Sequence, residues 1–338
     1  MPAEWSPHQA TWISWPHNRE TWPGVLGAAE QAMAEFVTAL APHERVLINV
    51  QDKNAAQRVE QRLAGRVPPE QVSLEILPTD DAWIRDYGAI IVRDDAIEPG
   101  FVAVDFDYNA WGGKYPPFEN DRAVAKQMAK RLGLTRITSP IVLEGGSVEV
   151  NGRGLGLVTE QCLLNPNRNP GLTREDIAAE LAEFLGLTEL VWLGDGVVGD
   201  DTDGHIDNLA RFVSSRCVLA IFEPDRADPN HAPLADNLRR LKEFRDSRGR
   251  ALDIVKLPVP APIIRDGQRL PASYANFYIG NSIVLVPAYD GPADQIAQGV
   301  IGDCFPGRRV QPIDCRALIV GLGALHCLTQ QVPVMVRD

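Results

Sequence analysis

Short hydrophobic runs rich in β-branched residues alternate along the chain with segments in which apolar side chains recur at helical spacing. The helical segments are Gly27–Leu40, Asn54–Leu63, Asp121–Leu132, Thr173–Leu185, Asp236–Phe244 and Ala293–Ile301. The predicted strands are Val46–Val50, Val72–Leu77, Ala89–Val92, Phe101–Phe106, Ile137–Leu143, Leu190–Leu193, Cys217–Phe222, Leu252–Leu257 and Ile283–Val286. This alternation predicts a mixed α/β fold.

A longer repeat underlies the alternation: a helix is followed by a strand, a polar or glycine-rich loop, and further strands. Such passages recur at roughly 60 to 70 residues. Potentially reactive residues occupy equivalent loops, namely Asp86, Glu144, His205 and Cys327. The periodicity alone leaves two arrangements open, a radial ring in which the loops converge and an ordinary α/β sheet with similar loops.

Composition and charge narrow the class of protein. The 338 residues are 45% hydrophobic and 23% charged, which is ordinary globular composition for one large or two moderate domains. The net charge of -12 argues against a nucleic-acid partner and suits a small cationic one. Because the first residues resemble no signal peptide and no apolar run reaches the ~18 residues of a membrane span, we expect a soluble cytoplasmic protein without a membrane partner.

The five cysteines are scattered and include no CxxC pair, which disfavours zinc and redox sites. Cys327 lies where an apolar run, expected to be a strand, gives way to polar residues, which is a suitable place for a nucleophile. The alternative is a small buried hydrophobic residue, the usual role of a free cysteine. His326 is predicted to point away from Cys327, since neighbours in a strand project to opposite faces.

The segment DDTDGHIDN supplies a candidate base. His205 and Asp207 would share a face if the backbone is extended, and could then act on one substrate. A calcium loop is the alternative, with Asp201 and Asp203 as ligands, but the rest of the EF-hand pattern is missing. No HExxH pattern and no complete dinucleotide fingerprint occur, so we predict neither a metal nor a cofactor.

Two further loops carry candidate binding groups. In DDAWIRDYG, Trp83 and Asp86 could form a wall for a cationic ligand, or Trp83 could be a core residue beside a capped turn. Glu144 precedes two glycines and is either a buried carboxylate at a tight turn or an exposed turn residue.

Taken together, these motifs resemble the agmatine deiminase family, which is related to bacterial-type peptidylarginine deiminases and to the wider guanidine-modifying pentein superfamily. The matching segments span nearly the whole chain in the family's order. They are MPAEWSPHQATWISWP, WIRDYG, LEGGSVEVNG, TEQCLLNPNRNPG, GDDTDGHIDNLARF, YANFYIGNSIVLVP and GALHCLTQQVP.

The resemblance implies a single catalytic domain over residues 1–338, folded as a fivefold pseudosymmetric β/α-propeller of ββαβ-type repeats. It implies that Cys327 is the nucleophile and His205 the general acid and base. It also implies that Glu144 contacts that histidine, that Asp86 and Asp207 hold the guanidinium group, and that Trp83 and Asp201 contact substrate. Ala89 replaces the family's proline in WxRDxGP, and GLGALHC is a variant glycine-rich run, so the distal end of the substrate stays open.

The implied function is hydrolysis of agmatine to N-carbamoylputrescine and ammonia through an amidino-cysteine intermediate, without a cofactor. This reaction would belong to polyamine metabolism. Deimination of arginine or peptidylarginine, amidino transfer, and non-catalytic binding of guanidinium or calcium are the alternatives. The resemblance also implies a homo-oligomer.

Overall fold

A computed structural model describes residues 1–98 and 100–335. Its strands are β1 (His8–Ser14), β2 (Arg45–Val50), β3 (Val72–Ile76), β4 (Ile90–Arg93), β5 (Phe101–Asp107), β6 (Thr135–Val142), β7 (Val148–Val150), β8 (Leu155–Thr159), β9 (Glu189–Leu193), β10 (Ala210–Phe212), β11 (Cys217–Phe222), β12 (Asp253–Pro258), β13 (Ile264–Arg265), β14 (Gln268–Arg269), β15 (Tyr278–Ile279), β16 (Ile283–Ala288), β17 (Arg309–Asp314) and β18 (Thr329–Pro333).

The helices lie between these strands. They are α1 (Leu26–Leu40), α2 (Lys53–Leu63), α3 (Ile84–Tyr87), α4 (Ala110–Gly113), α5 (Glu119–Arg122), α6 (Val124–Leu132), α7 (Glu160–Leu163), α8 (Arg174–Leu185), α9 (His231–Glu243) and α10 (Ala293–Cys304). Single 3₁₀ turns occur at Pro69–Gln71, Gly145–Ser147, Ile206–Asn208 and Leu318–Gly321. The longer helices are amphipathic and bury one face against the sheets.

Five of the sheets share one plan. In each, the first strand pairs antiparallel with the second, and the second pairs parallel with the third across an intervening helix. The strand orders are β4-β5-β6, β7-β8-β9, β10-β11-β12, β15-β16-β17 and β18-β1-β2, the last extended by β3. The parallel pairing requires a crossover connection, and α1, α6, α8, α9 and α10 provide it.

One sheet pairs the last strand of the chain with the first, and this pairing holds Cys327 in place. β18 pairs antiparallel with β1, and Thr329 lies opposite Ile13. The residues that precede β18 are therefore held beside the first strand of the chain. This pairing fixes Cys327, two residues before β18, to the rest of the core.

In four of the five sheets burial decreases from the first two strands to the third, and in the sheet β18-β1-β2 it decreases at the added strand β3. β7, β10 and β18 are buried along their whole length, whereas β12 and β17 are mostly half-buried or exposed. The first strands are thus the innermost strands of their sheets. The loops that lead into the first strands therefore end in the interior of the protein.

Most predicted elements are confirmed, and the differences have local causes. The helix predicted for residues 121–132 is two helices, α5 and α6, which meet at Ala123. Helix α9 begins at His231, five residues before the predicted start. The buried strands β1 and β18 were not predicted, because polar residues such as Gln330 and Gln331 interrupt their apolar pattern.

The mixed α/β fold is confirmed by this architecture. Among the described residues, the helices that form are too short or too polar to span a lipid bilayer.

Helix α8 offers a test of local stability that does not touch the interior. Thr173 accepts a hydrogen bond from the Asp176 backbone N–H, and the Asp176 carboxylate accepts one from the Thr173 backbone N–H. We expect Thr173→Ala to lower the free energy of unfolding by about 1 kcal/mol, measured by urea denaturation. Thr173→Ser keeps the hydroxyl and serves as the control; an equal loss in both variants would contradict the capping explanation.

Candidate active site

The predicted reactive residues lie in the segments that lead from the last strand of one sheet into the first strand of the next. Asp86 lies in α3 before β4, and Glu144 immediately precedes the 3₁₀ turn before β7. His205 and Asp207 lie before β10, and Cys327 lies before β18. The structure brings all five into one buried cluster.

Cys327 lies on the wall of a cavity of about 810 Å³. Its Sγ is 3.0 Å from Asn276 Nδ2 and 3.4 Å from Asp207 Oδ2. Burial, Asp207 and Asp86 raise the pKa of the Cys327 thiol well above its usual value. The empty site therefore holds a protonated thiol at neutral pH, and a cation beside it would favour the thiolate.

The backbone around Cys327 differs from the prediction. Residues Leu318–Gly321 form a 3₁₀ helix and Cys327 lies in a turn, so no apolar strand precedes the nucleophile. The prediction that His326 points away from the site is wrong. In the turn, its Nδ1 lies 2.8 Å from Asp207 Oδ2, the same oxygen that faces Cys327.

His205 is fully buried between two carboxylates. Its Nδ1 is 3.7 Å from Asp86 Oδ1 and its Nε2 is 3.8 Å from Glu144 Oε2. Burial by itself would lower the pKa of His205, but Asp86, Cys162 and Glu144 raise it well above its usual value. Neither ring nitrogen has a hydrogen-bond partner among the described residues, so both are available to a ligand.

The extended backbone predicted for residues 205–207 is also wrong. Ile206–Asn208 form a 3₁₀ turn after His205. The turn places the His205 ring beside Asp86 and the Asp207 carboxylate beside Cys327. Two different residues of one short loop thus reach two different parts of the site.

Glu144 has no exposed surface, so the buried-carboxylate alternative is correct. Its Oε1 accepts a hydrogen bond from Arg168 Nε at 2.6 Å, and Arg168 also bonds Asp203 at 2.6 Å. Burial alone would raise the pKa of Glu144, but His205 and Arg168 hold it below its usual value. An ionised Glu144 stabilises the imidazolium of His205.

The two carboxylates that flank the reactive groups differ in their bonding. Asp86 accepts hydrogen bonds from Gly146 N at 3.0 Å and Trp111 Nε1 at 2.9 Å. Burial, opposed by His205 but aided by Asp207 and Glu144, raises the pKa of Asp86 to about 6. Burial would also raise the pKa of Asp207, but His326 holds it below its usual value. Asp207 Oδ1 is buried without a partner among the described residues, an acceptor that a ligand can use.

Trp83 is both a core residue and part of the cavity wall. The indole packs against Trp22 with ring centroids 5.4 Å apart, and its other surface lines the cavity. Asp201 also lines the cavity and accepts a hydrogen bond from Tyr115 Oη. Both residues are therefore placed to contact a ligand that reaches Cys327.

The calcium alternative for this loop fits poorly. Asp203, one of the two proposed ligands, already accepts hydrogen bonds from Lys114 at 2.8 Å and from Arg168 at 2.6 Å. Two fixed cations on one carboxylate oppose the binding of a third. The loop is organised by ion pairs of the protein itself.

A second cluster of side chains contains the types of atom that bind metal ions. Glu144, Cys162 and His205 place potential ligand atoms within 4.8 Å of one another, all buried. The Arg168 guanidinium, 2.6 Å from the Glu144 carboxylate, opposes an added cation there. This electrostatic setting suits a protonated histidine better than a metal ion.

Sequence reasoning missed several residues of the site. Asn276 contacts Cys327 Sγ and also accepts a hydrogen bond from the Cys327 backbone N–H at 3.3 Å. It occupies the fifth loop, before β15, where no reactive residue was predicted. The repeat was the available signal, since the other loops place their polar side chains just before an inner strand. Arg168, Trp111 and His326 act on Glu144, Asp86 and Asp207 across large separations in sequence, which no local pattern reveals.

Comparison with known proteins agrees with this geometry. Residues 1–333 match the family described as Porphyromonas-type peptidyl-arginine deiminase. The chain belongs to this family. The agmatine deiminase of Stutzerimonas stutzeri is 37% identical over 358 aligned residues, which cover 98% of this chain and 95% of that protein. The resemblance read from the sequence motifs is thereby confirmed.

Solved structures of related proteins superimpose on this chain over nearly its whole length. Agmatine deiminase of Enterococcus faecalis superimposes with a TM-score of 0.93 at 30% identity, covering 99% of this chain and 96% of that one. The C. jejuni agmatine deiminase with substrate bound gives a TM-score of 0.88 at 32% identity, covering 100% and 96%. A more distant protein, DDAH from Pseudomonas aeruginosa, shares the fold at a TM-score of 0.52 and 14% identity over 96% and 99% of the two chains.

The raised pKa of Cys327 predicts the pH dependence of its alkylation. In the free protein, iodoacetamide should modify Cys327 slowly at pH 7, and the rate should still be rising above the usual thiol pKa of about 8.5. Asp207→Asn removes a negative charge 3.4 Å from Sγ, so the profile should move to lower pH. Mass spectrometry of the Cys327 peptide measures the rate.

The exposed Asp225→Asn is the charge-matched control and should leave the alkylation profile in place. A wild-type profile that is already flat at pH 7, or an Asp207→Asn profile moved to higher pH, would contradict this electrostatic account.

Proposed function

We propose that this protein is an agmatine deiminase, which converts agmatine and water to N-carbamoylputrescine and ammonia through an amidino group carried on Cys327. One observation carries the proposal: the Cys327 thiol lies 3.4 Å from Asp207, a carboxylate that can accept a guanidinium, and Asp86 lies close enough to raise its pKa. A buried His205 lies 3.7 Å from Asp86 in the same cluster. The relatives and the solved structures named above support the same activity.

Asp86 and Asp207 hold the substrate guanidinium so that its carbon can react. A guanidinium is planar, charged and resonance-stabilised, so its carbon is a poor electrophile until the group is held and desolvated. Asp86 and the unpartnered Oδ1 of Asp207 accept its N–H groups in charge-assisted bonds. The carbon is then presented to Cys327 Sγ.

The substrate assists in activating the nucleophile. Asp207 and Asp86 keep the thiol protonated in the empty site, and the bound cation offsets their charge. The thiol then loses its proton to solvent in the cavity. Asn276 Nδ2 donates a hydrogen bond to the resulting thiolate, which limits the cost of burying it.

The remaining steps need one proton donor that later becomes an acceptor. The thiolate attacks the guanidinium carbon, the His205 imidazolium protonates one nitrogen, and ammonia leaves. Neutral His205 then takes a proton from water, whose oxygen adds to the amidino carbon. The carbon–sulfur bond breaks, the thiolate is restored, and the ureido product leaves after losing its extra proton. Ionised Glu144 stabilises the imidazolium at both stages.

The lining of the cavity favours agmatine over arginine. Its acidic members are Glu20, Asp80, Asp81, Asp86, Asp121 and Asp201, and the lining arginine, Arg19, is exposed. A free α-carboxylate would be repelled by the ionised members of this set, whereas the second cationic end of agmatine would be attracted. We assign Asp201, with Trp83 and the Tyr115 ring beside it, to the substrate chain and its distal amine.

We also propose that the five sheets close into a ring, a fivefold β/α-propeller that makes residues 1–338 one catalytic domain. Contacts between the first strands of different sheets, β4 with β18 and β7 with β10, support closure, as does the burial of these strands. A cytoplasmic location agrees with the free cysteines. The homo-oligomer implied by the resemblance stays a prediction.

Turnover of agmatine is the direct test. Purified protein should release ammonia and a ureido product from agmatine, with a kcat/KM at least tenfold above that for arginine or an arginyl peptide, because the pocket is acidic. Colorimetric detection of the ureido group and mass spectrometry measure the products. Cys327→Ala is expected to abolish turnover, and Cys217→Ala, at a half-buried cysteine outside the site, is the matched control.

Each contrary result has a definite meaning. Preference for arginine would contradict the assigned substrate. Transfer of the amidino group to an added amine, without ureido product, would contradict hydrolysis. Full activity of Cys327→Ala would remove the proposed nucleophile.

Gly146 tests the spacing of the site. A Cβ at this position would lie 2.6 Å from His205 Nδ1 and 2.8 Å from Asp86 Oδ1, closer than real Cβ atoms approach. Gly146→Ala should therefore displace both groups and lower kcat/KM by about 10- to 100-fold. Gly27→Ala, with open space around the added Cβ, is the control. Unchanged kinetics in Gly146→Ala would contradict the assigned positions of His205 and Asp86.

A further inference from the structure

His326 lies between two buried carboxylates behind the reactive groups. Its Nδ1 is 2.8 Å from Asp207 Oδ2 and its Nε2 is 2.8 Å from Glu4 Oε2, and the residue is 2% exposed. An ionised Asp207 only accepts hydrogen bonds, so Nδ1 donates to it. Through Glu4, the ring links the amino-terminal segment to the site.

The far side of this ring is held rigidly. Glu4 also accepts hydrogen bonds from Arg211 at 2.8 Å and from the Ile279 backbone N–H at 2.9 Å. Arg211 in turn donates to Glu149 at 2.9 Å, and all of these side chains are buried. Because Glu4 is fixed by several bonds, the His326 ring cannot rotate without breaking its hydrogen bond to Glu4.

The near side of the ring controls Asp207. Its Oδ2 is occupied by His326 and faces Cys327 Sγ at 3.4 Å, while its Oδ1 is buried without a partner. A carboxylate free to rotate could turn either oxygen, or its protonated form, toward the cavity. Bonding to Nδ1–H of His326 selects one orientation of the carboxylate and favours its ionised form.

We propose that His326 is a positioning residue: its Nδ1–H, anchored through Nε2 to Glu4, orients the Asp207 carboxylate so that Oδ1 receives the substrate guanidinium. This inference rests on the proposed function for the identity of the substrate. The cation site itself can be examined without agmatine.

Two substitutions separate the roles of the two ring nitrogens. Counted in bonds from Cα, Asn Nδ2 stands where His Nδ1 does, and Gln Nε2 stands where His Nε2 does. His326→Asn thus retains a donor toward Asp207 and loses the contact with Glu4. His326→Gln retains the contact with Glu4 and loses the donor toward Asp207. His231→Gln, at a half-buried histidine bonded to a backbone carbonyl, is the remote control.

The readout is the reactivity of Cys327 toward two matched reagents, chloroacetamidine, which is a planar cation, and chloroacetamide, which is neutral. The ratio of their alkylation rates, divided by the same ratio for free cysteine, reports cation binding beside the thiol. We expect His326→Gln to lower this ratio by roughly tenfold or more, the size of a lost charge-assisted hydrogen bond. His326→Asn should stay within about threefold of wild type.

The same pair should differ in turnover. With agmatine, His326→Gln should raise KM more than it lowers kcat, because the defect lies in holding the cation, and His326→Asn should restore most of KM. In an Asp207→Asn background, the additional effect of His326→Gln should disappear. Equal losses in the two His326 variants, or none in either, would overturn the proposal, and so would an undiminished effect in the Asp207→Asn background.

A measurement without a His326 substitution keeps the proposal falsifiable if the Gln variant does not fold. In Cys327→Ser protein labelled with ¹⁵N-histidine, the Nδ1 of His326 should carry a proton. Its Nδ1 signal should shift when methylguanidine is added. An Nδ1 without a proton, or an Nδ1 signal that does not respond to methylguanidine, would overturn the role assigned to His326.

These readouts also separate the two proposals. If agmatine is not turned over but the alkylation ratio depends on His326 as described, the proposed function fails and the positioning role stands. If agmatine is turned over and the ratio is insensitive to His326, only the positioning role fails.

Discussion

The structure depends on the pairing of charges that are removed from water. Glu144 with Arg168 and Glu4 with Arg211 are buried ion pairs, and each has further hydrogen bonds that satisfy its remaining polar atoms. A buried charge without a partner would cost several kcal/mol, so each pair constrains the position of the loop that carries it. The reactive residues are held at the ends of these constrained loops.

A few buried polar atoms of this network lack hydrogen-bond partners. Both nitrogens of His205 and one oxygen of Asp207 are buried without partners among the described residues. In a fully satisfied interior such atoms are rare, and they mark the place where a planar cation and a water molecule would complete the hydrogen bonding. The surrounding ion pairs supply the rigidity that allows these atoms to stay unpaired.

Much of the fold could be read from the chain, and the parts that could not share a cause. Amphipathic helices such as α1 and α8 follow directly from local periodicity. Strands β1 and β18 were missed because both bury polar residues that lie opposite one another, such as Thr11 and Gln331, so no alternation appears. The WIRDYG motif shows the same limit, since its Arg85 donates to Gln331 at 2.7 Å on the β18 side of α3, a contact that no local pattern indicates.

The sequence by itself determined the residue types of the chemistry: a cysteine, a histidine and several acids, each near the start of an inner strand. Motif order also determined the family. The tertiary structure decided which of these groups meet, and it added Asn276, Arg168 and His326 from loops distant in sequence. The physical reason is that local backbone preference depends on neighbours in the chain, whereas proton positions, pKa values and hydrogen bonding of buried groups depend on neighbours in space.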